Sequence, residues 1–220
     1  MYLAEADPAL AERSEERLAP QRLPSDRWQD FPHSRLSHHG GACCDIAREW
    51  VLAMDFAQLN GGELSSGPRW LRQKYEWGPS PWPMHWCEAV KRKTIDCGAH
   101  AALAHEAFRA RGLTAFPAQL VQRYSEDATE QWRGKWSEED VSCHWLDGEH
   151  IYHEATVLLV GEDEVKIWDS SAGSWIDPRQ TPNGYGSLVA VRIFAEGQWG
   201  GGDGFRWGER RLKPGVWNQT

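Results

Sequence analysis

The chain has 220 residues and a mass of 25.0 kDa, enough for one domain with a sizeable core. Its 24 Lys and Arg against 32 Asp and Glu leave a net charge of −8, which argues against nucleic acid or an anionic membrane surface as a partner. Hydrophobic residues make up 40% and charged residues 25%, a globular balance, and no apolar run approaches the roughly 18 residues a membrane helix needs. Met1 to Glu16 is interrupted by Glu5, Asp7, Glu12, Arg13 and Glu15, unlike a signal peptide, so a cytoplasmic location is expected. Five cysteines without framework spacing suit reduced thiols there. Fourteen Trp beside 21 Gly fit either a walled groove or a Trp-rich core.

Residues 1–27, with Pro8, Pro20 and Pro24, read as a short helix or a mobile arm. Residues 28–220 read as a single domain: a helical part over 28–93, a core over 94–194 and an irregular Gly-rich tail over 195–220. In the helical part, Asp45 can cap a helix through Leu59 with Ile46, Trp50, Ala53 and Ala57 on one face, ended by Asn60-Gly61-Gly62. A second helix is expected over Pro68 to Trp77, and Gly78 to Pro83, with three prolines, is a shaped loop.

From Asp96 or Cys97 to Arg111 the pattern is helical, with Cys97, Ala101, Ala104 and Phe108 on one face, Thr94 or Asp96 as N-cap and Gly112 as the stop. Thr114 to Tyr124 reads as a strand in which Pro117 marks an edge or bulge, and residues 125–142 read as a polar loop. His153 to Val160 and Glu164 to Asp169 flank a three-residue turn as a β-hairpin, and Ser187 to Phe194 is a further strand. That turn pairs Leu159 with Val165, Val157 with Ile167 and Ala155 with Asp169, which puts His153 diagonally across from Asp169 on one face. Tyr152 and Glu154 then point to the opposite face, as second-layer or solvent residues.

Burying a His and an Asp without partners costs several kcal/mol, roughly 2 to 7 for a neutral polar group, so the pair asks for a third group. Cys97 is the best candidate. At the first turn of a helix its thiolate is favoured by the helix dipole and by a neighbouring imidazolium. Its own backbone N–H, unpaired at the helix start, can donate to a developing oxyanion.

These residues resemble a known family. Ile95-Asp96-Cys97-Gly98-Ala99-His100-Ala101, followed by Arg111-Gly112-Leu113 and a strand, resembles the nucleophile helix of the transglutaminase-like branch of papain-fold cysteine enzymes. His153 with its alternating strand, and Val165-Lys166-Ile167-Trp168-Asp169 closing with Trp175-Ile176, resemble that family's His and Asp strands. The likeness covers residues 94 to 194, and it departs at Ala155, where the family commonly has an aromatic, and at Ser170-Ser171, where a Pro commonly follows the Asp.

The resemblance implies an α+β fold with the nucleophile helix packed on an antiparallel sheet. It implies a Cys97, His153, Asp169 triad and acyl transfer from an amide, peptide or related acyl donor through a thioester, to water or to an amine acceptor. No metal or organic cofactor is implied. An upstream oxyanion donor is also implied, for which Trp77, Trp82 and Trp86 are candidates. His100, Trp132, Trp136 and Trp145 are candidates for a substrate groove, with His100 otherwise a surface residue.

Other readings are a cysteine peptidase, a non-catalytic peptide-binding module, or a zinc protein using Cys143, His144, His150 and His153. His38, His39, Cys43 and Cys44 form a second Cys/His cluster. Neither cluster has a common zinc spacing, and adjacent Cys-Cys pairs rarely both reach one ion, so metal binding is not expected.

Overall fold

A computed structural model describes residues 36–59, 61–138, 145–160, 164–176 and 187–193. β1 (Leu36–Ser37) leads into α1 (Ala42–Leu59), which buries Cys44, Ala47, Val51 and Asp55. This i, i+3, i+7, i+11 stripe corrects the expected face: Ile46 is 63% exposed, and Ala53 and Ala57 also meet solvent. Apolar periodicity misses the stripe because it ends on a carboxylate. Asp55 can be buried because Arg111 donates to both of its oxygens at 2.6 Å and the Trp70 indole N–H donates at 3.0 Å.

The second expected helix is shorter: α2 covers Trp70–Lys74, and β2 (Glu76–Trp77) follows. The prolines of 78–83 hold a loop without helix or strand, as expected. β3 (Met84–His85) pairs in parallel with β1 and runs into α3 (Trp86–Ala89). β4 (Thr94–Ile95) pairs in parallel with β2, Trp77 opposite Ile95, and so anchors the chain two residues before Cys97.

α4 (Cys97–Ala110) starts at the Asp96 cap, whose Oδ1 accepts from the Ala99 N–H at 2.9 Å, and stops at Gly112, which takes φ +81°. Its Ala residues let the helix lie close on the sheet, near enough for the Thr156 hydroxyl to donate to the Ala101 carbonyl at 3.1 Å. Leu103 and Phe108 are fully buried there against Ala115, Leu158 and Trp168, about 1.5 to 3 kcal/mol for each such side chain.

β5 (Thr114–Arg123) is followed by α5 (Glu126–Glu138), a correction of the loop expected over 125–142. Its polar composition hides Trp132 and Trp136 at i, i+4, and Ala128 and Trp132 pack on Tyr124, Leu146 and Ile151. β6 (Leu146–Asp147), β7 (His150–Val160), β8 (Glu164–Asp169), β9 (Ser174–Ile176) and β10 (Ser187–Ile193) complete the sheet, in the order β10-β5-β7-β8-β9 with β6 also on β7. Its pairings are antiparallel, and the fold is α+β.

Leu159 pairs with Val165 and Val157 with Ile167, the expected register. β5 lies between β10 and β7, so Pro117 is in an interior strand and not at an edge. It sits one residue past the last described β10 pair, Ala118 with Ile193, where a missing N–H costs no ladder bond on that side. The 161–163 turn, the 1–27 arm and the 195–220 tail lie outside the described residues.

The two sheet faces carry separate cores. Ala115, Leu158 and Trp168 pack with α4, whereas Phe116, Ala118, Leu120, Ala155, Val157, Ile167, Val191 and Ile193 cluster on the other side. By alternation His153 and Asp169 belong with the second set, away from α4. The two layers therefore meet at the sheet's edge.

Candidate active site

β7 pairs with β5 along one side, and on its outer side β6 covers 150–151 and β8 covers 156–160. Among the described strands, nothing pairs with the outer edge of 153–155, and the first turn of α4 reaches that gap. There Cys97 and His153 come close enough for each to act on the other's proton. His153 Nε2 stands 3.0 Å from Asp169 Oδ2, an ion-pair separation with the N–H pointing off the oxygen line. With Nε2 toward Asp169, Nδ1 is the ring atom left to the thiol. The structure thus brings together the Cys, His and Asp that the sequence singles out, from α4, β7 and β8.

Asp169 is fully enclosed, and its Oδ1 accepts from the Ser171 N–H at 2.9 Å, the Ser171 hydroxyl at 2.6 Å and the Ala172 N–H at 3.1 Å. Burial would raise this carboxyl, but His153 and these donors outweigh it and hold it at about 2. Burial would likewise lower His153, yet Asp169, with Cys97 second, keeps the imidazole well above its ordinary value. For Cys97 burial prevails: the thiol is raised, against the lowering effect of His153. This corrects the expectation of a thiolate preformed by the helix dipole.

Asp96 ties the helix start to the upstream loop. Its Oδ2 accepts from the Trp82 indole at 2.5 Å, its N–H donates to Ser80 Oγ at 2.9 Å, and burial pushes its carboxyl up to about 6. The Trp82 N–H is therefore committed to Asp96 and is not left for an oxyanion. Trp86 is also removed from that role, since it is a core ring packed with Leu36, Met84 and Ala89 and faced by Arg48. Asp96 caps the Gly98 and Ala99 N–H groups, and the Cys97 N–H stays outside that cap.

Trp77 joins the expected groove residues in one aromatic wall. Its ring meets Trp136 at 5.0 Å and Trp145 at 5.7 Å, and Trp145 lies 6.4 Å from Trp132. β2 carries this wall to the residue before Asp96, and the Tyr152 N–H bonded to the Trp145 carbonyl at 2.8 Å carries it to the residue before His153. Trp136 itself is buried, so it backs the wall.

His100 is not a surface residue. It is 1% exposed, edge-on to Tyr75, without a hydrogen-bond partner for either ring nitrogen among the described residues, and burial drops it to about 3. Tyr152 and Glu154 are also not solvent residues: both are buried, and the Tyr152 hydroxyl donates to Glu154 Oε1 at 2.5 Å. Glu154 acts electrostatically on both Cys97 and Asp96. A Glu in the middle of an apolar strand was the available signal, and of the two expected places, second layer or solvent, the structure gives the second layer. Cys143 and His144 lie outside the described residues, and His153 is occupied by Cys97 and Asp169.

No protein-family model and no curated protein matches the chain. Among solved structures, a chain from Cytophaga hutchinsonii described as a "putative cysteine protease" is similar over 80% of this protein, with 13% identity and a TM-score of 0.40. The match covers 52% of that chain, so this protein spans about half its length. Likeness at this level decides neither the chemistry nor the family. No helix among the described residues is long and apolar enough to cross a membrane.

Proposed function

We propose that the protein is a cysteine-dependent acyl-transfer enzyme, transglutaminase-like in kind, that acts on an amide, peptide or related acyl donor. The observation that supports this is the continuous contact from Cys97 through His153 to Asp169, at the start of a helix and beside an aromatic wall.

Cys97, its proton lost to solvent, attacks the acyl carbon as the thiolate, while His153 keeps the proton that Asp169 holds on it. When the tetrahedral intermediate collapses, the bond to the leaving amine breaks and His153 gives that proton to it, leaving a thioester on Cys97. Water or an acceptor amine then attacks, giving its proton to His153, and the Cys97 thiolate is expelled, restoring the thiolate and imidazolium pair. The Cys97 N–H is the oxyanion donor this scheme requires, with Trp77 the remaining aromatic candidate. Because Asp169 holds the proton on His153, the proton the resting pair must lose comes from sulfur, so turnover rises toward alkaline pH.

The test uses p-nitrophenyl acetate as a generic acyl donor, followed by intact-mass and peptide mapping. The expected result is a p-nitrophenolate burst with an acetyl group on the Cys97 peptide, absent in Cys97→Ala; equal turnover by Cys97→Ala contradicts the proposal. Product analysis with and without glycinamide separates transfer from hydrolysis, which share every step up to the thioester.

A further inference from the structure

We infer that His39, Cys43, Cys44 and Cys87 form a closed structural zinc site. Each offers one ligand atom, and these four atoms all lie within 4.8 Å of one another. His39 Nε2 is 3.1 Å from Cys43 Sγ and 3.3 Å from Cys87 Sγ. Bonds of about 2.3 Å to sulfur and 2.0 to 2.1 Å to nitrogen in a tetrahedron set N to S edges of about 3.5 Å and S to S edges of about 3.8 Å, so small adjustments suffice. Three thiolates and one imidazole are soft, tetrahedral donors, which favours zinc over calcium or magnesium, and four protein ligands leave no open position.

The geometry overcomes the objection raised by the adjacent Cys43-Cys44 pair. Both are in the first turn of α1, about 100° apart around the axis, so a point above the helix start is within reach of both. That end of the helix favours an anionic thiolate cluster.

Gly41 makes room for the imidazole, since a Cβ there would lie 2.5 Å from His39 Cε1. Coordination through Nε2 puts the ring proton on Nδ1, so the present 3.1 Å contact from the Gly41 N–H is given up, which a turn of this exposed ring permits. The fourth ligand was invisible to spacing, because Cys87 lies on α3, far along the chain, and reaches the others where α3 packs on α1 beside the parallel β1 and β3 pair.

The ion would staple the start of α1 to the segment that runs through α3 and β4 into Cys97. It lies apart from the Cys97, His153 and Asp169 contacts, so it stands or falls independently of the proposed chemistry.

The test uses the full chain without an affinity tag, expressed with zinc chloride in the medium and freed of loose metal by gel filtration. Elemental analysis is expected to give about one zinc per chain, falling to under about a tenth in Cys87→Ser. Should Cys87→Ser not fold, Cys43→Ser at an exposed position serves instead. Cobalt(II) added to the chelator-stripped wild type should give thiolate-to-cobalt charge transfer and tetrahedral d–d bands. Zinc below about a tenth per chain without any cobalt charge transfer, or a mapped disulfide from Cys87 to Cys43 or Cys44 in the purified protein, overturns the inference.

Discussion

Asp169 divides its carboxylate between two tasks: Oδ2 faces His153 Nε2 at 3.0 Å, and Oδ1 is held by Ser171 and Ala172 of its own turn. Ser171 thus supplies by hydrogen bonding the rigidity that a Pro after the Asp would supply by its ring. Asp169→Asn should cut turnover of an activated ester by about 10³ to 10⁴, because the amide supports the wrong tautomer of the imidazole. Ser171→Ala removes one donor and should cost about 1 kcal/mol of stability with a several-fold loss in kcat. Unchanged turnover in Asp169→Asn would mean that another group orients His153.

The same pair sets a pH window for stability. The Asp169 pKa is depressed to about 2, so its contribution is present above the unfolded value of 3.8 and is lost as pH falls toward 2. His153 is raised, so its contribution is full below 6.5 and is lost as pH rises through its elevated pKa. The pair therefore stabilises most between about 4 and 6.5. Melting curves of wild type and Asp169→Asn should differ most in that window, and a pH-independent difference would contradict the pairing.

Asp55 and Arg111 join α1 to the end of α4, both almost completely enclosed. Asp55→Ala should cost about 3 to 5 kcal/mol in urea unfolding, because it leaves a buried guanidinium without its counter-charge. Adding Arg111→Met should recover much of that loss. A single-variant cost under about 1 kcal/mol would show that water replaces the pair.

His100 is held neutral, and its pKa falls from 6.5 to about 3. The unfolded chain binds a proton that the folded chain refuses across that interval, so stability falls as pH drops from about 6.5 to about 3, by about 1.4 kcal/mol per unit. His100→Phe should flatten this acid limb while changing neutral stability little, since neither ring nitrogen has a partner to lose among the described residues. An acid limb as steep as wild type would mean that His100 is charged in the fold.

Local chemistry made much of the site legible. The helix from Cys97 is announced by Asp96, an Ala face and Gly112, and the hairpin register follows from period-2 alternation with a three-residue turn. Long-range partnerships were not legible. Asp55 breaks the apolar pattern of α1 because its partner is Arg111, and α5 looks like a loop because only Trp132 and Trp136 mark its buried side. Alternation also assumes that a helix covers a sheet face, whereas Cys97 meets His153 where, among the described strands, β6 and β8 leave 153–155 of β7 unpaired.

In the proposed function Cys97 and His153 share one proton and act as a unit. The most direct measurement is the iodoacetamide rate at each cysteine by peptide mapping, across pH 6 to 10, in wild type, His153→Ala and Asp169→Asn. The account predicts a Cys97 profile with its midpoint above that of an ordinary thiol of about 8.5, moved higher still in His153→Ala, with Cys43, Cys44 and Cys87 unaffected by either substitution. A Cys97 profile that is identical in all three proteins would show an uncoupled core thiol and contradict the proposed enzyme.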